Sequence, residues 1–121
     1  MTYDDNNIFA KILRGEIPCK KIYEDEYVLS FYDINPQKKI HALVIPKGKY
    51  IDLDDFASKA SEKEISALIR GVNTVAKKLQ ISSDTGKGYR ALSNISENGG
   101  QEVPHLHFHL FGGEKVGKMV E

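Results

Sequence analysis

Apolar and polar residues alternate strictly over residues 104–111, late in the chain. A period of two is that of a β-strand, whose successive side chains point to opposite faces of the sheet. The apolar positions, which predict a face packed on a core, are Leu106, Phe108 and Leu110. The positions between them are His105, His107 and His109. At a rise of about 3.3 Å per residue, neighbouring imidazoles would stand about 6.6 Å apart along the other face.

Shorter patterns predict the remaining elements. Asn7 can cap a short helix over residues 8–13 that Gly15 ends. A capping box of Ser61 and Glu64 opens one long amphipathic helix that runs to about residue 79. Further strands are predicted over 21–24, 27–32, 39–45 and 88–94, of which the first two form a hairpin and the third is buried on both faces.

These elements predict an α+β fold. We expect an antiparallel sheet of about five strands, one long helix and a short N-terminal helix. The length suits a single domain over residues 1–121. Its core would span about residues 7–113, followed by an irregular tail over 114–121.

Composition narrows the function classes. The chain has 121 residues, and its 17 Lys and Arg balance 17 Asp and Glu, for a formal net charge of zero. No long-range field would attract nucleic acid or an anionic membrane, although local groups can still hold a small phosphorylated ligand. No apolar run is long enough to cross a bilayer, and the polar residues 1–7 predict no signal peptide. Cys19 is the only cysteine, so we expect a cytoplasmic protein without an internal disulfide.

Histidines carry the candidate chemistry. Three of the four lie in the strand over 104–111, and the fourth, His41, lies in the buried strand over 39–45. An imidazole can donate, accept or attack near neutral pH. A buried histidine such as His41 needs a hydrogen-bond partner, and by itself it fits a satisfied core residue.

Residues 105–111 match the histidine-triad pattern His-φ-His-φ-His-φ-φ, with φ hydrophobic, at every position. The chain resembles the HINT branch of the histidine-triad (HIT) superfamily in further segments, which are 8–12, 33–36, 41–47 and Asn94 with 99–101. The resemblance covers about residues 7–113. It implies a HIT-like fold, no cofactor or metal, and a homodimer in which the long helix and a sheet edge meet their symmetry mates.

The resemblance implies a nucleoside phosphoramidase that cleaves purine nucleoside phosphoramidates or aminoacyl adenylates. A neutral imidazole attacks phosphorus well and leaves well, which divides one difficult displacement into two easier ones. By resemblance, His107 is the nucleophile that takes up an AMP-type or GMP-type nucleotide as a covalent intermediate. His105 would fix the tautomer and orientation of His107, backed by His41, and His109 would bind the α-phosphate oxygens.

The resemblance also assigns substrate contacts outside the catalytic histidines. Those expected around the base, ribose and phosphate are Ile8, Phe9, Asp33, Ile34, Leu43, Asn94, Gly100, Gln101, Glu102 and Val103, with His107 and His109. Several have simpler explanations. The segment around Ile8 and Phe9 can serve packing, Asp33 can cap a turn before Asn35-Pro36, and the glycine loop can be an ordinary connection rather than an anion-binding nest.

Three features depart from the family pattern. Glu102 stands where many relatives have a serine that contacts phosphate, and a carboxylate there would repel a phosphate unless it points away. Pro104 replaces a common aromatic residue and lacks an N–H, which predicts a strand start or edge. The chain contains no tryptophan, whereas some relatives shape the leaving-group side with one near the C-terminus.

Two other function classes stay open. His-x-His on a strand can chelate zinc, although the outer two triad histidines would lie about 13 Å apart along a strand, which is wide for one tetrahedral site. The same residues would also suit a nucleotide-binding or partner-docking protein with incidental hydrolysis.

Overall fold

The computed structural model describes residues 2–120 and contains an α+β arrangement. Its elements in chain order are α1 (Ile8–Leu13), β1 (Lys21–Glu24), β2 (Val28–Tyr32), β3 (Ile40–Pro46), α2 (Leu53–Lys59), α3 (Glu62–Lys78), β4 (Arg90–Leu92) and β5 (Phe108–Gly112). The five strands form one antiparallel sheet in the order β1-β2-β3-β5-β4. The predicted fold class is confirmed.

Local capping explains where the helices begin. Asn7 accepts a hydrogen bond from the Ala10 backbone N–H at the start of α1. Ser61 and Glu64 form a reciprocal capping box at the start of α3. These side chains satisfy backbone donors that have no partner within the helix. Both predicted helix starts are confirmed.

Alternation along the central strands separates two apolar clusters. Val28, Ala42 and Val44 pack on the side of α3, together with Leu106 and Leu110. The intervening residues of β2 and β3 face the opposite side, where they pack with α1, and they are Leu29, Phe31, Leu43 and Ile45. Since β3 is buried on both faces, the sheet has a core on each side of its centre.

The helix α3 approaches the sheet closely at Gly71. A Cβ atom added there would lie 3.1 Å from Val28 Cγ2, which is a tight contact. Glycine at this position therefore lets the helix backbone lie near β2. No helix in residues 2–120 combines the length and apolar character that crossing a membrane requires.

Two strand predictions need correction. β4 covers only Arg90–Leu92 rather than residues 88–94. β5 begins at Phe108, so His105 and His107 precede the strand. The reason is that the Leu106 backbone N–H donates to the carbonyl of Tyr50, which lies outside the sheet, while the pairing of β5 with β3 begins at Phe108 opposite Val44.

Candidate active site

His107 has its protonation pattern fixed by a backbone carbonyl. Its Nδ1 lies 2.7 Å from the carbonyl oxygen of His105. Because a carbonyl oxygen can only accept, Nδ1 carries the ring proton and Nε2 keeps its lone pair. Burial lowers the pKa of the His107 imidazole below its usual value of 6.5, which keeps the ring neutral at pH 7. The ring is therefore held neutral, with the lone pair of Nε2 unused by the fold.

The Nε2 atoms of His107 and His109 reach solvent. Neither Nε2 has a hydrogen-bond partner in residues 2–120. Within that range, Ser30 Oγ is the only fully buried side-chain polar atom that lacks a hydrogen-bond partner. Because the two Nε2 atoms also lack partners, they are not fully buried and reach the surface. The two ring centroids are 5.0 Å apart in edge-to-face geometry. A group that approaches one ring therefore also meets the other.

A directional chain of hydrogen bonds orients His109. The Gln37 backbone N–H donates to His41 Nδ1 at 3.1 Å, so the proton of the neutral His41 ring is on Nε2. That Nε2–H donates to His109 Nδ1 at 2.9 Å. His109 consequently carries its own proton on Nε2, which is the atom open to solvent. Burial and the neighbouring imidazoles of His107 and His41 lower the pKa of His109 to about 4.

The expected role of His41 is corrected by this arrangement. We predicted that His41 would stand behind His105, whereas its ring bonds to His109. Strand register is the cause. Leu43 of β3 lies opposite His109 of β5, and His41 lies opposite Phe111. These positions share one face of the sheet, and His41 reaches His109 as the diagonal neighbour.

His105 is a buried structural residue rather than a member of an exposed row. Its ring is completely inaccessible, and its Nε2 donates to the carbonyl of Pro46 at 2.8 Å. The Tyr3 hydroxyl lies 2.6 Å from the other nitrogen, Nδ1. Burial lowers the pKa of His105 to about 4. The prediction that three imidazoles line one accessible wall is therefore wrong for His105, and its backbone carbonyl rather than its ring orients His107.

Asp33 combines a turn role with a place beside the histidines. Its Oδ1 accepts from the Asn35 backbone N–H at 2.8 Å, as the turn-capping explanation expects. Its Oδ2 lies 3.5 Å from His41 Nε2. The carboxylate lines a cleft of about 690 Å³ together with His41, Ile34 and Tyr32. Asp33 is thus anchored through one oxygen and presents the other to the cleft.

The apolar residues expected around the nucleotide differ in their exposure to solvent. Phe9 is buried and packs edge-to-face on His107, with ring centroids 4.9 Å apart. Leu43 is buried on the same side of the sheet, and Val103 packs against that cluster. Ile8 and Ile34 are exposed at 39% and 83%. Phe9 therefore serves packing and also contacts the His107 ring, while Ile8 and Ile34 keep exposed surface that a ligand could cover.

The loop before the triad is held by the Gln101 carboxamide. Its Nε2 donates to the carbonyls of Ile51 and Val103, at 2.7 and 3.0 Å. Its Oε1 accepts from the Ser96 backbone N–H at 3.0 Å. Both N–H groups of the Gln101 carboxamide are therefore engaged with backbone carbonyls. A phosphate contact by Gln101 stays a prediction.

The other loop residues expected to bind phosphate differ in their free hydrogen-bond donors. Gly100 has φ of 73°, a left-handed conformation that glycine adopts without steric cost. Asn94 is half-buried, and its side chain forms no hydrogen bond within residues 2–120. Glu102 is exposed. The Gly100 backbone N–H is engaged, because it donates to the Glu97 carbonyl at 3.1 Å. Asn94 is thus the donor that fits the predicted phosphate role.

One side-chain trio has the spacing of a metal site. Asp33, His41 and His109 each offer an atom within 4.8 Å of the others. A histidine ligand normally donates its second ring N–H to an acceptor, but the second nitrogen of His41 faces the Gln37 N–H donor. The hydrogen-bond pattern therefore favours a neutral relay over a ligand set and disagrees with the zinc alternative.

Three groups at this site were missed by sequence reasoning. The Gln37 N–H and the Pro46 carbonyl are backbone groups, which no side-chain motif can reveal. The third group is the side chain of Tyr3. The signal that could have revealed it is an aromatic residue within the largely polar segment 1–7.

Comparisons with known proteins find relatives along most of the chain. Residues 14–116 match the family model described as HIT domain. An uncharacterized 13.2 kDa HIT-like protein of Azospirillum brasilense is 56% identical over 98% of this chain and 95% of its own length. Purine nucleoside phosphoramidase of Escherichia coli is 37% identical over 96% and 94%. The structure of a HIT family hydrolase from Clostridium thermocellum superposes with a TM-score of 0.81 at 36% identity, covering 98% of this chain and 99% of that one.

Proposed function

The chain belongs to the HIT domain family, and from this premise we propose that it is a nucleotidyl hydrolase. Its substrates would be purine nucleoside phosphoramidates or aminoacyl adenylates, in which an AMP-type or GMP-type nucleotide is joined through phosphorus to an amine or acyl group. The observation that carries the proposal is the 2.7 Å contact between His107 Nδ1 and the His105 carbonyl. It leaves His107 Nε2 as a neutral, solvent-open nucleophile.

In the first step, the lone pair of His107 Nε2 attacks the α-phosphorus. A P–N bond to the protein forms, and the bond from phosphorus to the leaving group breaks. A leaving nitrogen takes a proton from solvent and departs as a neutral amine. Charge that builds on the phosphoryl oxygens is stabilised by the Nε2–H of His109, which His41 holds in the donor tautomer.

In the second step, the oxygen of a water molecule attacks the same phosphorus. The bond to His107 breaks, the nucleotide leaves, and the proton of the water passes to solvent. His107 returns as the neutral Nδ1–H tautomer because the His105 carbonyl is still its acceptor. The two steps thus use one imidazole as nucleophile and leaving group.

The proposed nucleotide contacts follow the cleft. Asp33 Oδ2 accepts hydrogen bonds from the ribose hydroxyls, and the exposed Ile8 and Ile34 cover the ribose and the purine. Asn94 donates to the phosphate oxygens. Support comes from the anchoring of Asp33 through Oδ1, which leaves Oδ2 for a ligand, and from the likeness to a purine nucleoside phosphoramidase.

We also propose a homodimer in the cytoplasm. Ile65 and Ile69 of α3 are 37% and 60% exposed, one helical turn apart, and form an apolar strip that a second copy can cover. Strand β4 lies at an edge of the sheet. The free thiol of Cys19 fits a reducing compartment. The mass in solution by light scattering tests the dimer.

The decisive experiment uses adenosine 5′-phosphoramidate with the wild-type protein, His107→Ala and His107→Gly. We expect AMP release and, after alkaline quenching, an AMP adduct on the peptide that contains His107. Both variants should lose release and adduct while keeping the wild-type circular dichroism spectrum. Added imidazole should restore release by His107→Gly, because it supplies the missing nucleophile. Binding of AMP without turnover by the wild type would support a nucleotide-binding protein instead.

A further inference from the structure

The segment before α1 contacts the deepest histidine of the site. Tyr3 lies outside residues 14–116, which carry the family match. Its ring meets His105 edge-to-face with centroids 5.6 Å apart, and its hydroxyl lies 2.6 Å from His105 Nδ1. The contact joins two residues that are 102 positions apart in sequence.

The direction of this hydrogen bond follows from the other side of the ring. His105 Nε2 faces the Pro46 carbonyl at 2.8 Å, and a carbonyl can only accept. The ring proton is therefore on Nε2, Nδ1 is bare, and the Tyr3 hydroxyl is the donor. Burial raises the pKa of the Tyr3 phenol above 10.0, which keeps that proton in place at neutral pH. Tyr3 thus closes the last unsatisfied position of a completely buried imidazole.

His105 also supplies, through its backbone carbonyl, the acceptor for the His107 ring. The His105 backbone N–H donates to the Val103 carbonyl at 2.9 Å, and the His105 carbonyl accepts from His107 Nδ1 at 2.7 Å. Anchoring the His105 ring on two sides therefore fixes the peptide whose carbonyl selects the His107 tautomer.

The segment around Tyr3 is itself tied to the domain. The Asp5 carboxylate pairs with Lys49 at 2.9 Å, and the Asp5 carbonyl accepts from Arg14 at 2.8 Å. Asn7 Nδ2 donates to the Asp4 carbonyl at 2.7 Å. The ion pair is exposed and contributes little, but together these contacts limit the positions open to Tyr3.

We propose that Tyr3 is a positioning residue, which acts through His105 to hold His107 in its nucleophilic tautomer and orientation. The inference rests on the proposed function of His107. Tyr3 does not touch the reacting atoms. Loss of its hydroxyl leaves a buried acceptor unpaired, lets the His105 peptide shift, and weakens the bond that keeps the proton on His107 Nδ1.

The test compares Tyr3→Phe with Tyr23→Phe, which removes a hydroxyl bonded to Asp25 on β1, away from the histidines. We expect Tyr3→Phe to lower kcat about tenfold, with KM changed by less than about twofold, as is typical when a supporting contact of a reactive group is lost. Tyr23→Phe should keep the wild-type kcat. Thermal melts of both variants check that the fold persists.

Nitrogen NMR of the imidazoles gives a readout that does not need turnover. In the wild type, His107 should be the Nδ1–H tautomer and His105 the Nε2–H tautomer. In Tyr3→Phe, part of the His107 population should move to the Nε2–H tautomer, while Tyr23→Phe stays as wild type. An unchanged His107 tautomer, or an unchanged kcat, would overturn the proposal. If the wild type shows no hydrolysis, the proposed function fails while the NMR comparison still decides the role of Tyr3.

Discussion

His41 and His109 are joined by a 2.9 Å hydrogen bond between His41 Nε2 and His109 Nδ1, across the neighbouring strands β3 and β5. The bond has one direction because the Gln37 backbone N–H occupies the other nitrogen of His41. His109 therefore faces solvent as a donor, while His107 faces it as an acceptor. Two imidazoles of the same chemistry are thus given opposite roles by the groups behind them.

Removal of the His41 ring should disturb His109, the proposed donor, and leave His107, the proposed nucleophile, unchanged. We expect His41→Ala to lower kcat by about 10- to 100-fold, because His109 loses the partner that fixes its tautomer. His41→Gln, whose amide can donate to His109 Nδ1, should retain more activity. Steady-state kinetics and the nitrogen NMR tautomer of His109 measure the effect. Equal activity in His41→Ala and the wild type would contradict this relay.

Asp33 should govern the choice between ribose and deoxyribose. We expect the wild type to prefer adenosine over 2′-deoxyadenosine 5′-phosphoramidate, and Asp33→Asn to lose most of that preference, about tenfold in kcat/KM, through loss of a charge-assisted hydrogen bond. Asp25→Asn is the matched control, since Asp25 also accepts from backbone N–H groups in a turn but lies away from the cleft. A preference that survives in Asp33→Asn would leave Asp33 with its turn role alone.

Glu102 should weaken binding of an anionic substrate through its charge. Burial lowers the pKa of His107, and the Glu102 carboxylate raises it by a smaller amount, so this charge acts on the imidazole that we propose as the nucleophile. We expect Glu102→Gln to lower KM by about two- to fivefold at low salt and to converge with the wild type at high salt, where exposed charges are screened. Glu97→Gln on the same loop is the control. A KM difference that persists at high salt would exclude a charge effect.

Stability should fall with acid in a window set by the histidines. The pKa values of His105 and His109 are lowered from 6.5 to about 4 in the folded state. Between these values the unfolded chain binds more protons, so the free energy of unfolding decreases as pH falls, by about 1.4 kcal/mol per pH unit for each histidine. It should be level above pH 6.5 with respect to these groups.

Urea unfolding between pH 7 and pH 5 measures this slope before most carboxylates titrate. His109→Gln removes one of these groups and should lower the slope by about 1.4 kcal/mol per pH unit. A flat profile from pH 7 to pH 5 would show that the rings are protonated as readily in the folded chain as in the unfolded one.

Local patterns predicted the framework because they act over a few residues. The capping box of Ser61 and Glu64 and the cap at Asn7 are satisfied within one helical turn. Alternation placed Leu106 and Leu110 toward the α3 side and the histidines toward the other. Leu106 keeps this orientation although it precedes β5, where the regular ladder has not yet begun.

Contacts between distant segments could not be predicted in the same way. Bonding of His41 to His109 rather than to the neighbourhood of His105 depends on the register of β3 against β5. The engagement of the Gln101 amide depends on Ile51, which lies 50 positions away in sequence. In both cases the side chain was identified and its partner was not.

The sequence by itself determined which residues are candidates for the chemistry: four histidines, one carboxylate and a glycine loop on an α+β framework. Only the tertiary structure decided what each imidazole can do. The reason is physical, since an imidazole is donor or acceptor at a given nitrogen according to the group that faces the other nitrogen. Those groups are the carbonyls of His105 and Pro46, the N–H of Gln37 and the hydroxyl of Tyr3. Three of them are backbone groups, and the fourth is a side-chain hydroxyl on an N-terminal segment far away in the chain.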